Sequence, residues 1–128
     1  MKKIKLKGKI FSGNGEGKQF LTLLWVKNQI QEKLHFRPYP GTLNVMLSEK
    51  NLEFTNLLKN KNCTRIIPAD GFCHGIIVPA LVNSHKCAII VPIVAHYPEN
   101  VLELIAPVNL RHSLNIKDGD EVLVHLCL

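Results

Sequence analysis

The chain is poor in aromatic residues, at 6%, which leaves few platforms for stacking nucleic-acid bases. It has four cysteines but no C-x-x-C pair, so the usual zinc and redox spacings are missing. No apolar run approaches the length of a bilayer-spanning helix. The opening Met1-Lys2-Lys3-Ile4-Lys5 alternates instead of building a signal-peptide core. A soluble, intracellular, cytoplasmic protein with no membrane partner is expected. There is neither an internal repeat nor a linker long enough to separate one domain from another. A length of 128 residues suits one domain, 1–128, with a single hydrophobic core.

What the chain does have is positive charge. The formal net charge of +6 points to an anionic partner, whether nucleotide, nucleic acid or acidic surface. Part of it lies in Lys3, Lys5, Lys7 and Lys9, which alternate with Ile4, Leu6 and Ile10. That pattern reads as a half-buried strand with a basic solvated face, in which the lysines protect an edge. Cys73-His74 and His85-Lys86-Cys87 together offer two thiols and two imidazoles for zinc. Neighbours on a strand point to opposite faces, however, so Cys73 and His74 do not converge easily. Buried free thiols are the simpler expectation, and disulfides are not expected in the cytosol.

Short segments rich in Ile, Val and Leu read as strands near 3–11, 19–24, 42–48, 72–82, 86–92, 101–106 and 120–127. Val26, Ile30 and Leu34 recur at helical spacing, predicting a helix near 25–35 that Arg37-Pro38 ends. A short helical turn fits 110–114, followed by a reversal at Asp118-Gly119. Residues 49–71 are the least legible. Many short strands with one or two short helices predict a mainly all-β fold, a small closed barrel.

Three segments carry the residues suited to chemistry. Gly13-Asn14-Gly15-Glu16-Gly17-Lys18 alternates glycines so that backbone N–H groups can approach a phosphate, with a lysine beside them. It has neither Walker A spacing nor a following Ser or Thr, and on the segment alone a glycine-rich hairpin turn is preferred to a nucleotide site. Pro38-Tyr39-Pro40-Gly41-Thr42-Leu43-Asn44 is a stiff turn running into a strand. Alternation sets Leu43 on one side, with Thr42 and Asn44 together on the other. A hydroxyl and an amide oxygen suit a magnesium ion that takes further ligands from water and phosphate. On spacing alone a polar turn before an ordinary strand is preferred. In Glu103-Leu104-Ile105-Ala106-Pro107-Val108-Asn109-Leu110-Arg111, Glu103 sits in an apolar strand, either solvent-facing or aimed at a ligand. Pro107 stops that strand, and Asn109 and Arg111 follow where both can reach an anion or a base edge.

The order of these segments, closed by Asp118-Gly119-Asp120-Glu121-Val122, resembles the archaeal-type CTP-dependent riboflavin kinases. The resemblance covers nearly the whole chain and is weakest over 49–71. It implies a six-stranded cradle-loop barrel of the riboflavin-synthase-like kind. It also implies transfer of the γ-phosphate of CTP to the ribityl 5′-hydroxyl of riboflavin, giving FMN and CDP, with Mg2+ as cofactor. By match to the family motif, Asn14, Gly15, Glu16, Gly17, Lys18 and Gln19 cover the nucleotide phosphates, and Val108, Asn109, Leu110 and Arg111 contact the nucleotide. Thr42 and Asn44 hold the magnesium. Glu103 faces the flavin and is the candidate catalytic group, with Tyr97 and position 95 beside the substrate.

One departure stands out. Where the family usually carries a flavin-contacting threonine, this chain has Ala95. Loss of such a hydroxyl contact weakens flavin binding by about 1 kcal/mol, or marks a different hydroxyl acceptor. A non-catalytic nucleotide- or nucleic-acid-binding barrel is the alternative. The scattered lysines and scarce aromatics argue against a nucleic-acid partner.

Overall fold

The computed structural model describes residues 3–13, 21–49, 51–58, 64–67, 74–93 and 97–127. Seven strands occur among them: β1 (Lys3–Phe11), β2 (Leu43–Leu47), β3 (Thr64–Ile66), β4 (Gly75–Val82), β5 (His85–Pro92), β6 (Val101–Ile105) and β7 (Glu121–Cys127). Three helices join them: α1 (Leu24–Leu34), α2 (Leu52–Leu58) and α3 (Leu110–Leu114). The sheet runs β3-β4-β5-β6-β2-β1-β7, and a further β4–β7 pairing closes six strands into an antiparallel barrel. β3 is appended outside the closure, on β4.

The two faces of each strand explain its composition. β1 alternates strictly, with Ile4, Leu6 and Ile10 buried inside the barrel and Lys3, Lys5, Lys7 and Lys9 exposed outside. β1 pairs with β2 on one side and β7 on the other, so its lysines guard no free edge. β4 and β5 are apolar on both faces because the second face is also covered. Val26 and Ile30 of α1 pack there against Ile77, Ala88, Ile90 and Ile105. Each buried Val or Ile among them contributes roughly 1.5–3 kcal/mol relative to exposure. Pro79, in the middle of β4, falls between the stretch paired with β3 and the stretch paired with β7. Its missing N–H therefore costs no ladder bond on that side.

Residues 21–24 are not the strand their composition predicts. Leu21 is buried in the cluster under α1, and the Leu23 carbonyl accepts from Val26 N at 3.1 Å and Lys27 N at 3.0 Å, opening the helix. A short apolar run fits either period, and packing on the outer face of β4 and β5 decides it. Residues 19 and 20 lie outside the described residues. α2 and β3 come from the stretch that resists reading. Asn51 caps α2 through its side chain, which accepts from Phe54 N at 2.9 Å, and Phe54 is buried with the barrel core. At the far side of α1, the Gln29 amide pairs with both backbone groups of Ile67, at 2.8 and 2.7 Å.

Cys87 is a buried free thiol, and burial pushes it up to about 12. Cys63, Cys73 and the Cys127 side chain lie outside the described residues. Among the described residues, no helix is long and apolar enough to cross a membrane.

Candidate functional site

The stiff turn before β2 is built by its backbone. Pro38 is buried, and the Tyr39 N–H donates to the Ala106 carbonyl at 2.7 Å, fastening the turn to the end of β6. Gly41 has φ of 141°, a conformation that side-chain-bearing residues rarely adopt. Beyond it Leu43 points into the barrel, while Thr42 and Asn44 are half-buried, as alternation requires.

Across this turn, Pro107 releases the chain from β6 and α3 begins. The Asn109 side chain caps α3 by accepting from His112 N at 3.2 Å, and its amide donates to the Tyr39 hydroxyl at 3.3 Å. Leu110 is buried against the core and anchors the helix. Between the two segments lies a cleft of about 170 Å3 whose lining includes Tyr39, Thr42, Val108, Asn109, Leu110 and Arg111. Residues separated by more than sixty positions thus share one wall. Arg111 is tied by its Nη2 to Asp118 Oδ1 at 2.6 Å and to the Phe11 carbonyl at 3.3 Å.

The second half of the site lies on the barrel's outer surface. Asn44 pairs with Phe11 on β1 and with Glu103 on β6, and Glu103 pairs in turn with Ile90. Leu102 and Leu104 point into the barrel, so Glu103 points outward beside Asn44. The Tyr97 hydroxyl donates to Glu103 Oε2 at 2.9 Å. Burial, then the nearby Glu103 charge and this hydrogen bond, hold the Tyr97 phenol far above its ordinary value. It is a neutral donor to the Glu103 carboxylate.

Of the residues expected at the site, Thr42, Val108, Asn109, Leu110 and Arg111 meet in the cleft, while Asn44 and Glu103 meet on the adjoining strands and Tyr97, ahead of β6, bonds to Glu103. Asn14, Gly15, Glu16, Gly17, Lys18, Gln19 and Ala95 lie outside the described residues. Their immediate neighbour Gly13 is described. A methyl carbon built on it would overlap the Asn44 amide nitrogen, so the absent side chain is what admits the Asn44 carboxamide. Sequence reasoning passed over Tyr39, Ser12 and Asp118. Asp118 accepts from Ser12 Oγ at 2.6 Å as well as from Arg111. In the sequence it is visible only as half of an Asp-Gly turn.

Among the described residues no group of three or more His, Cys, Asp or Glu side chains gathers as a metal site. The neutral Thr42 hydroxyl and Asn44 amide oxygen are donors of the kind magnesium takes; Thr42 lines the cleft, and Asn44 stands beside Glu103 and against Gly13. Hard oxygen donors in this small number fit an ion that keeps waters and binds phosphate.

Residues 10–126 match the CTP-dependent riboflavin kinase family, described as a domain of unknown function, DUF120. The chain belongs to that family. It is 42% identical over 127 residues to a riboflavin kinase of Methanosarcina barkeri, covering 96% of this chain and 56% of the relative. A riboflavin kinase of Ignicoccus hospitalis is also 42% identical over 127 residues, covering 96% and 71%. One of Saccharolobus solfataricus is 36% identical over 129 residues, covering 96% and 74%. The chain thus spans little more than half the Methanosarcina barkeri relative. The family match over residues 10–126 and the closed six-stranded barrel agree with the resemblance drawn from the segments above.

Proposed function

We propose that the chain is a riboflavin kinase that transfers the γ-phosphate of CTP to the ribityl 5′-hydroxyl of riboflavin, giving FMN and CDP, with Mg2+ as cofactor. One observation carries this reading. Thr42 shares a cleft with Val108–Arg111, while Asn44, two residues on, faces Glu103 across β2 and β6. Segments that the family motif gives to nucleotide, metal and acceptor are neighbours in space, although far apart in the chain. The choice of CTP as donor rests on family membership.

Phosphoryl transfer asks for positioning and charge neutralisation more than for covalent help. Thr42 and Asn44 would hold Mg2+, which when bound offsets phosphate charge. Arg111, fixed by Asp118, supplies a cation at the cleft wall. By the family motif, the glycine-rich segment from Gly13 to Lys18 would offer backbone N–H groups to the phosphates. Glu103 accepts the proton of the ribityl hydroxyl as its oxygen bonds to the γ-phosphorus and the bond to the CDP oxygen breaks. Tyr97 holds the Glu103 carboxylate in one orientation through its hydrogen bond.

The test incubates purified protein with riboflavin, Mg2+ and each of CTP, ATP, GTP and UTP in turn, then separates the flavins by chromatography. FMN should form with CTP. No FMN with any nucleotide overturns the proposal, and an active enzyme that spares riboflavin but phosphorylates another alcohol assigns the acceptor elsewhere.

A further inference from the structure

Asp118 stands in the turn between α3 and β7, outside every segment assigned so far to substrate, nucleotide or metal. Its two carboxylate oxygens reach in different directions. Oδ2 accepts from the Ser12 hydroxyl and Oδ1 from Arg111 Nη2, each at 2.6 Å. The same Arg111 nitrogen donates to the Phe11 carbonyl at 3.3 Å. Phe11 and Ser12 are the last residues before the glycine-rich segment, and Arg111 lines the cleft. One carboxylate therefore joins Ser12, just past β1, to the cation of the cleft.

The carboxylate is itself well placed. Gly119 N donates to the Ile10 carbonyl at 2.8 Å, and Ile10 N donates to the Asp120 carbonyl at 2.9 Å, which docks the turn on β1. Lys117 N donates to Asp120 Oδ2 at 2.9 Å and closes the turn. The Arg111 and Asp118 side chains are 36% and 53% exposed, and an ion pair so hydrated adds little to folding stability. What it supplies is geometry. The Ser12 hydroxyl and then Arg111 hold the Asp118 carboxyl below its ordinary range, so both bonds are charge-assisted at neutral pH.

We propose that Asp118 is a positioning residue for the nucleotide, clamping Arg111 to Ser12 at the end of β1 so that a bound nucleotide meets the cleft's cation already in place. This rests on the reading of the cleft lined by Val108–Arg111 as the nucleotide site.

The experiment compares wild type with Asp118→Ala, Asp118→Asn, Ser12→Ala and the Ser12→Ala/Asp118→Ala double variant. It measures KM for CTP, KM for riboflavin and kcat, and separately CDP affinity by calorimetry without riboflavin. Asp118→Ala should raise KM for CTP and Kd for CDP by about tenfold while KM for riboflavin stays within about twofold. Asp118→Asn, which keeps one acceptor oxygen, should recover part of the loss. Ser12→Ala should weaken CDP binding alone yet add nothing to Asp118→Ala. If Asp118→Ala does not fold, Asp118→Asn and Ser12→Ala carry the comparison. Unchanged CTP and CDP constants, equal losses for both substrates, or additive effects would each overturn the clamp while leaving the kinase reading intact. A wild type that makes no FMN defeats the kinase reading, and CDP affinity then decides the clamp alone. A wild type that binds no CDP defeats both.

Discussion

Asn44 and Glu103 face each other directly across β2 and β6, a register pair on the outer surface of the barrel. Side chains so placed have Cβ atoms about 4.5–5.5 Å apart. In the roles proposed for them, as magnesium ligand and proton acceptor, that separation would put the transferred phosphoryl group and the attacking hydroxyl within one small volume. Asn44→Ala should lower Mg2+-dependent FMN formation by on the order of 100-fold or more, with the fold intact. Turnover equal to wild type, at unchanged melting temperature, would remove Asn44 from the metal site.

Glu103→Gln keeps an oxygen to receive the Tyr97 hydroxyl and loses the base. We expect kcat to drop on the order of 100-fold, with KM for CTP little changed. Steady-state kinetics at saturating riboflavin make the check. A large rise in KM for CTP instead would place Glu103 on the nucleotide side.

Tyr97 should make the folded protein sensitive to alkali. Its phenol ionises at 10.0 when unfolded and higher when folded, so between those points the folded state holds the extra proton. The stability this contributes is fully present below pH 10.0 and is lost as pH rises above it. Thermal melts across that range should show a decline that Tyr97→Phe reduces. An identical decline in the variant would contradict the burial and pairing of this hydroxyl.

Gly13→Ala tests the seat of Asn44. The added methyl meets the far end of a flexible side chain, with the Asn44 Cγ only 3.2 Å away, so the carboxamide gives way instead of the backbone. Gly13 is exposed, and a change in melting temperature should be small. Turnover should fall about tenfold, with the half-saturating Mg2+ concentration raised. An unaltered magnesium dependence would show that Asn44 needs no such seat.

Much of the fold is legible in the residues themselves. Strict alternation in β1, punctuation by Pro and Gly around β2, and helical spacing from Val26 to Leu34 each reflect a single local cause. The segment 21–24 misleads because Leu21 and Leu23 satisfy either period, and only the apolar outer face of β4 and β5 selects the helix. The lysines of β1 read as edge guards because its pairing with β2 on one side and with the distant β7 on the other has no local signature. α2 buries one large side chain, Phe54, too few to print a stripe. At the site, Thr42, Asn44 and Glu103 stand out as residue types. The Ser12–Asp118 contact, between residues 106 positions apart, cannot be read from either end.

The pairing of Lys3 with Cys127 and of Leu81 with His125 makes β7 the keystone of the barrel. On the ribosome it is also the last barrel strand to emerge. Until then β1 and β4 each lack a partner, and contacts that span nearly the whole chain form slowly. Arg111 and Ser12 acquire their common anchor only when the turn ahead of β7 docks on β1. On the proposed reading the nucleotide site is completed only as the barrel closes, and a nascent chain short of residue 121 would hold its parts without their arrangement.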